Sequence, residues 1–222
     1  MRRRQLLAGG LGAGALLAGR GVASPVLSPD NHGLTLAAAR RRNGWIEIDG
    51  AAFAANIAAV RAWVGPARLC AVMKADAYGN GIALLIPAIL RAGVTDLAFT
   101  ANDEARVARA LGYRGRLIRI RTATPEEMED AFALRVEELI GNAEAAAGLD
   151  RLWARHSRRN PLPVHLALNA GGMSRNGVEL STAFGQADAR AMLGLRHIAI
   201  RGVMTHYPGE AADDVLGQLR RY

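Results

Sequence analysis

The sequence feature that most constrains the fold is a regular alternation of short apolar runs with longer amphipathic segments. Short apolar runs bounded by turn residues are typical of strands, and the longer segments have helical spacing. The predicted strands occupy residues 45–48, 67–73, 96–100, 116–120, 136–140, 162–168 and 197–204. The predicted helices occupy 50–64, 82–93, 102–112, 124–134, 142–158 and 181–193, and a last helix begins within 212–222.

From residue 67 onward this pattern gives six strand–helix units in a row. Strands this apolar are typical of parallel strands buried on both faces. Such alternation produces either a doubly wound sheet or a (β/α)8 barrel, and the absence of G-x-G-x-x-G after the first strand disfavours dinucleotide binding. We therefore predict an α/β fold, a partial (β/α)8 TIM barrel. Since a closed barrel needs eight units and about 250 residues, we expect a truncated barrel or strands supplied from elsewhere.

The first 23 residues have the pattern of an export signal. "MRRRQLL" is a basic n-region, "LLAGGLGAGALLAG" is a short apolar region, and "GVA" before Ser24 suits signal peptidase. Adjacent arginines followed by Gln-Leu-Leu indicate the twin-arginine route, hence a periplasmic protein. The alternative is a disordered basic tail. Residues 24–43 are predicted to be a linker, and 44–222 the folded domain.

The net charge of +8 does not indicate a nucleic-acid partner. Four arginines lie in the acid-free first 23 residues, and the rest of the chain has 24 basic and 20 acidic residues. No basic stripe with interleaved aromatics is visible, and the apolar segment of the signal is shorter than the ~20 residues that cross a bilayer. No metal site is predicted. The single cysteine, Cys70, lies in an apolar run, so we expect a buried, inert thiol.

Lys74 is the only lysine in the chain, and the other 27 of the 28 basic residues are arginine. It directly follows the predicted strand 67–73. A lysine at the mouth of a barrel can form a Schiff base with a carbonyl substrate or with pyridoxal phosphate. Arginine stays protonated and cannot form that imine. A lysine retained alone is therefore a candidate for chemistry, against the alternative of a surface lysine at a strand end.

Other polar side chains also follow the predicted strands, at the end where barrel enzymes place their active sites. Counted from the strand at 67–73, Tyr78 follows the first barrel strand, and Arg119 and Arg121 come at the end of the third. The segments "NAGGMSRNG" (169–177) and "THYP" (205–208) follow the fifth and sixth. Arg119 and Arg121 alternate along a strand and should share one face, as a structural ion pair or as an anion site.

These segments resemble a known family. "AVMKADAYGNG" is similar to the lysine signature of fold-type III pyridoxal-phosphate enzymes, the alanine racemases in particular, with Asp76 and Asn80 in place of asparagine and histidine. "LIRIRTA", "LALNAGGMSRNG" and "GVMTHYP" are similar to the periplasmic broad-specificity amino-acid racemases. The resemblance extends over residues 44–222.

The resemblance implies pyridoxal 5′-phosphate as the cofactor. Lys74 would hold it as an internal aldimine and would act as the base on one face of the substrate Cα. Tyr78 would reach the cofactor phosphate, with a packed core tyrosine as the alternative. Arg175 would contact the phenolic oxygen of the cofactor, and His206 would lie beside its pyridine ring.

The resemblance also implies a set of substrate-binding residues. Arg175 would bind the substrate carboxylate as well as the cofactor. Arg119 and Arg121 would lie near the entry and the cofactor region. Asn169 and Asn176 belong to the subgroup pattern, in which an asparagine replaces the modified lysine of alanine racemase.

The implied activity is interconversion of L- and D-amino acids, with a free amino acid as substrate. In this family the second base is a tyrosine from the C-terminal β-domain of the partner subunit. We therefore expect a homodimer for the full-length protein, and we expect this chain, which shows no such β-domain, to lack full activity alone. The alternatives are a non-catalytic pyridoxal-phosphate-binding barrel, a pyridoxal-phosphate decarboxylase, and a lysine-dependent aldolase.

Overall fold

The computed structural model describes residues 47–156, 160–169, 177–207 and 217. The predicted signal (1–23) and linker (24–43) lie outside these ranges, as does nearly all of the predicted last helix. Of the short strand predicted at 45–48, the two described residues have no regular secondary structure.

The described elements follow the predicted alternation closely. The helices are α1 (Gly50–Val64), α2 (Ile82–Arg91), α3 (Asn102–Ala110), α4 (Pro125–Asp130), α5 (Ala143–His156) and α6 (Ala183–Leu193). The strands are β1 (Cys70–Val72), β2 (Asp96–Phe99), β3 (Arg116–Arg119), β4 (Val136–Ile140), β5 (Leu162–Ala167) and β6 (Ile198–Met204). A 3-10 turn, Phe132–Leu134, follows α4, and a short helical turn, Lys74–Gly79, follows β1. We call the second of these the Lys74 turn.

The six strands form one sheet in the order β1-β2-β3-β4-β5-β6. The pairings from β3 to β6 are parallel, with Leu117 opposite Val136 and Glu138 opposite Val164. Strands that follow one another in the chain are thus neighbours in the sheet, which is the topology of a barrel rather than of a doubly wound sheet. The predicted α/β fold of about six units is confirmed.

The chain divides into two compact units. The first contains α1, β1, the Lys74 turn, α2, the start of β2, and α3 from Asp103. In it, the Asp49 carboxylate caps α1 by accepting the N–H groups of Ala51 and Ala52, both at 2.9 Å. Arg61 of α1 donates to the Ala92 carbonyl at 2.7 Å, just past the end of α2. Apolar side chains on α2 are buried.

The second unit contains the end of β2, strands β3 to β6 and helices α4 to α6. Thr124 caps α4 and Pro125 occupies its first turn. One face of β4 and β5 packs on the helices. This core consists of Met128, Ile140, Ala146, Leu149, Leu162, Val164, Leu166, Val178, Met192 and Ile198.

One prediction was wrong: β1 is not buried. Cys70 and Val72 are exposed, Val72 by 40%. The reason is that β1 stands at one edge of the described sheet, with β2 as its neighbour on one side. The inner strands β2 and β4 are buried at every residue. The opposite edge strand, β6, is likewise open, with Val203 exposed by 62%.

Candidate active site

Lys74 begins the turn that follows β1, at the carboxyl end of the strand. Its side chain is half-buried, and its Nζ lies 5.5 Å from the centre of the Tyr78 ring. That distance is within the range of a cation–π contact. Tyr78 is 61% exposed, so it is not the packed core tyrosine of the alternative interpretation. Lys74 and Tyr78, two predicted site residues, are therefore brought together in the first unit.

The backbone between Lys74 and Tyr78 has an unusual conformation. The φ angles of Ala75, Asp76, Ala77 and Tyr78 are 52°, 53°, 56° and 56°, and Gly79 follows at 75°. Each L-residue in this left-handed region costs roughly 1–2 kcal/mol, and such residues normally occur singly. Four in succession directly after the only lysine mark a strained segment, and strained backbone clusters at functional sites.

Arg119, at the end of β3, is fully buried in the second unit. Its Nε donates to Glu138 Oε2 at 2.7 Å and its Nη2 to Glu138 Oε1 at 3.1 Å. The other acceptors of its guanidinium are the Thr100 carbonyl, Glu127 Oε1 and Asn102 Oδ1. A guanidinium has five N–H donors. Because these five acceptors match them, Arg119 forms the structural ion pair of our two alternatives, and its substrate-binding role stays a prediction.

Arg121, two residues past β3, shares its partner with Arg119. Its Nη1 donates to Glu127 Oε2 at 3.0 Å, and its Nη2 contacts Glu127 Oε1. The hydrogen bond from Arg121 lowers the pKa of Glu127, against a smaller opposing effect of burial. The Arg121 side chain is 39% exposed. The two arginines thus lie on one face, as predicted, but only Arg121 reaches the surface.

Two members of this network, Glu138 and Asn102, were not among the predicted site residues. Glu138, on β4, is completely buried, and burial raises its pKa although the hydrogen bond and charge of Arg119 oppose the rise. Asn102 begins α3, and its Nδ2 donates to the Glu127 carbonyl at 2.9 Å and to Asp130 Oδ2 at 2.7 Å. An acid inside an apolar strand is the one signal that could have indicated Glu138, because a buried charge needs a partner.

Asn169 lies just past β5. Its Nδ2 donates to Glu179 Oε2 at 2.9 Å, and its backbone N–H donates to the Val178 carbonyl at 3.0 Å. Leu168 and Val178 form a parallel bridge beside it. A Cβ on Gly177, whose φ is +117°, would meet the Ala167 carbonyl at 2.7 Å. The chain on either side of the segment 170–176 is therefore held together by these contacts, and the close approach of residue 177 to Ala167 requires glycine.

Asn169 also lines a surface cavity of about 390 Å³. Polar groups in its wall come from Asn142 and Asp188, and the exposed Phe184 ring forms an apolar part. The Asn142 and Asp188 side chains already accept N–H groups at the start of α5. One oxygen of each side chain thus bonds to the start of α5, and the cavity has the character of a cleft between helix starts.

The remaining predicted residues are placed only in part. His206 lies two residues past β6 and is exposed. Arg175 and Asn176 lie outside the described residues, so their predicted roles stay predictions. Within the described ranges, no group of three or more histidine, cysteine or acidic side chains is placed to hold a metal ion. In the same ranges, no helix is both long and apolar enough to span a bilayer.

Comparison with known proteins decides the family. The family model described as alanine racemase, N-terminal domain, matches residues 48–221. This chain belongs to the alanine racemase family. The match includes all six strands and the lysine that begins the Lys74 turn.

Curated relatives of the chain are racemases. It is 45% identical over 205 residues to a broad specificity amino-acid racemase of Aeromonas hydrophila, which covers 90% of this chain and 49% of the relative. It is 40% identical over 181 residues to a lysine racemase of Proteus mirabilis, with 81% and 44% covered. The chain thus spans about half the length of the curated relatives it matches.

Solved structures share the fold. Alanine racemase of Clostridium difficile superposes with a TM-score of 0.69 at 20% identity, covering 79% of this chain and 48% of that one. Alanine racemase of Bartonella henselae, described with covalently bound pyridoxal phosphate, gives 0.66 at 19% identity, with 78% and 49% covered. The described strands and helices are therefore the barrel part of an alanine racemase fold.

Proposed function

We propose that this chain carries the pyridoxal-phosphate-binding part of a broad-specificity amino-acid racemase. The observation that carries the proposal is the position of its only lysine at the carboxyl end of β1, in a strained turn that also presents Tyr78. Membership of the alanine racemase family and 45% identity to the Aeromonas hydrophila enzyme support the same activity.

The residues that are present fit this cofactor. An aldehyde is captured by a primary amine, and Lys74 Nζ is the only side-chain amine in the sequence. Among the described residues, no acidic side chain lies within ion-pair distance of Lys74 Nζ. No carboxylate of the described residues therefore holds this amine away from an incoming aldehyde.

The other roles are assigned by family resemblance. Tyr78, whose ring is exposed beside Lys74, would direct its hydroxyl to the phosphate of the cofactor. His206 would lie beside the ring from the end of β6, and Arg175 would bind the substrate carboxylate. When bound, pyridoxal phosphate supplies an electron sink that makes the Cα–H of an attached amino acid acidic.

Lys74 Nζ would then take the Cα proton on one face of the substrate and return a proton to that face in the reverse direction. Racemisation also needs an acid/base group on the other face. By resemblance, we expect that group to be a tyrosine of a C-terminal β-domain in the partner subunit of a homodimer. We therefore propose that Lys74 suffices to capture the cofactor, whereas turnover also needs the acid/base group on the other face.

Covalent trapping tests the cofactor role. Borohydride treatment of the chain with pyridoxal phosphate should attach one pyridoxyl group, which peptide mass spectrometry should locate at Lys74. Lys74→Arg keeps the charge but cannot form the bond, so it should show no attachment. Attachment at the N-terminal amine alone would contradict the proposal.

A turnover assay tests the reaction class. Formation of D-amino acids from L-lysine, L-arginine and L-alanine should be measured beside the Aeromonas hydrophila racemase as a positive control. Strong turnover by the 222-residue chain would contradict a role as one part of a two-base enzyme. Cofactor attachment together with carbon dioxide release would favour a decarboxylase. Attachment by a full-length form without racemisation would favour the non-catalytic alternative.

We also propose that residues 1–23 export the protein to the periplasm by the twin-arginine route. The support is the Arg3-Arg4-Gln5 sequence before a weakly apolar segment. That route exports folded proteins, which suits a protein loaded with a cytoplasmic cofactor. A reporter fused to residues 1–43 should reach the periplasm. The same fusion with Arg3→Lys and Arg4→Lys should stay in the cytoplasm.

A further inference from the structure

The left-handed turn after Lys74 needs specific contacts to hold it, because three of its non-glycine members are alanine or tyrosine. Aspartate and asparagine tolerate this conformation best, since their short polar side chains bond locally. Asp76 is the only such residue among the four, which run from Ala75 to Tyr78. It lies in the middle of the turn, so its contacts decide whether the turn is maintained.

Asp76 is bonded through its backbone and its side chain. Its N–H donates to Glu104 Oε1 of α3 at 3.1 Å. Its Oδ1 accepts the N–H of Ile82, the first residue of α2, at 2.8 Å. Its carbonyl accepts the N–H of Gly81 at 2.9 Å. The turn is thereby attached to two separate helices of the first unit.

In two of these hydrogen bonds a carboxylate, of Asp76 or of Glu104, accepts a backbone N–H that the neighbouring residues do not satisfy. Gly81 precedes α2 and has no side chain to cap the helix, so the Asp76 carboxylate satisfies a helix N–H that would otherwise lack a side-chain partner. Glu104 is 9% exposed, and its carboxylate accepts an N–H that a left-handed turn leaves outside any regular ladder. Removing either acceptor would release part of the turn.

We propose that Asp76 and Glu104 are positioning residues that fix the geometry of Lys74 and Tyr78. The backbone torsions from ψ of Lys74 to φ of Tyr78 connect the two side chains, and the left-handed values begin at Ala75, so relaxation of these torsions moves the Tyr78 ring away from Lys74 Nζ. This inference rests on the proposed function for its catalytic meaning, but the geometry can be tested without the cofactor.

Four variants separate the hydrogen bonds from the charges. Asp76→Asn and Glu104→Gln keep an acceptor oxygen at each site, whereas Asp76→Ala and Glu104→Leu remove it. Asp103→Ala is the matched control, because Asp103 precedes Glu104 on α3 and its exposed carboxylate pairs with Arg106.

The first measurement uses the single lysine as a probe. In protein labelled with 13C at lysine Cε, Lys74 gives one signal, displaced by the ring current of Tyr78. Asp76→Ala and Glu104→Leu should move that signal to the position of the Tyr78→Ala variant, while the two conservative variants and Asp103→Ala should leave it in place. An unmoved signal in Asp76→Ala and Glu104→Leu overturns the inference, whether or not the chain binds a cofactor.

The second measurement is borohydride-trapped attachment of pyridoxal phosphate at Lys74. Asp76→Ala and Glu104→Leu should slow attachment at least about tenfold, with the conservative variants and Asp103→Ala near wild type. Equal attachment rates in all variants overturn the inference. Absence of attachment in the wild type would instead contradict the proposed function, and the lysine signal would still decide the inference.

Discussion

The buried pair of Arg119 and Glu138 gives the most discriminating prediction about stability. Both side chains have at most 1% exposure, and they form two parallel hydrogen bonds. Removing one partner of a buried ion pair leaves an uncompensated charge and costs about 3–5 kcal/mol. We therefore expect Arg119→Met and Glu138→Met each to lower the free energy of unfolding by that amount. For a chain of this size the loss corresponds to a Tm decrease of roughly 6–20 °C.

The double variant should cost much less than the two single changes together. Burial raises the pKa of Glu138 in spite of Arg119, so desolvation outweighs the attraction between the two side chains. Replacing both by apolar side chains removes that desolvation along with the attraction. What remains is the loss of the Arg119 bonds to Thr100 and Asn102, about 1–3 kcal/mol.

Urea unfolding followed by tryptophan fluorescence measures all three variants and yields the coupling energy of the cycle. We expect a coupling of about 3 kcal/mol or more. The exposed pair of Asp103 and Arg106 is the control, since such pairs contribute less than about 1 kcal/mol. Costs that add within about 0.5 kcal/mol would refute the coupled buried pair.

Three further predictions concern the second unit. The pKa of Glu127 lies below its usual value of 4.5, so its ionised carboxylate stabilises the fold above that pH, and this stabilisation is lost as pH falls through the folded-state pKa. The difference in the free energy of unfolding between wild type and Glu127→Gln should therefore shrink from about pH 6 to about pH 3. Gly177→Ala should lower the free energy of unfolding in urea by about 1–3 kcal/mol, because its Cβ would meet the Ala167 carbonyl at 2.7 Å. Gly148→Ala in α5 is the control: its Cβ would meet nothing within 4 Å, so it should raise the free energy of unfolding by roughly 0.5–1 kcal/mol. Thr124→Ala should cost about 1 kcal/mol, since its hydroxyl accepts the Glu127 N–H at 3.3 Å; equal stability would contradict its capping role.

The elements of the fold could be predicted because each is determined locally. The hydrophobic period places each helix from α1 to α6 and each strand within a few residues of its predicted range. The exposure of β1 could not be predicted in this way, because an apolar run has the same sequence pattern at the edge of a sheet as in its middle. Burial depends on neighbours that local sequence does not specify.

The conformation of the Lys74 turn could not be predicted from the sequence, for a different reason. Positive φ angles are easy for Gly79 and Gly81, which have no Cβ. The left-handed conformation instead begins at Ala75, held by Glu104 nearly thirty positions away in the chain. Local propensity opposes this conformation at every residue but aspartate and glycine, so only tertiary contacts can impose it.

The two arginines of β3 show how similar positions acquire different roles. Their alternation correctly predicted a shared face, and both contact Glu127. Arg119 meets Glu138 from the next strand and is matched by five acceptors, so binding an anion would require it to break an internal bond. Arg121 lies beyond the strand, is 39% exposed, and can turn its guanidinium from Glu127 to a carboxylate outside at little cost. If one of these two arginines binds substrate, the contacts favour Arg121. Arg119 would still contact the Glu127 carboxylate after the Arg121 guanidinium has turned away from it.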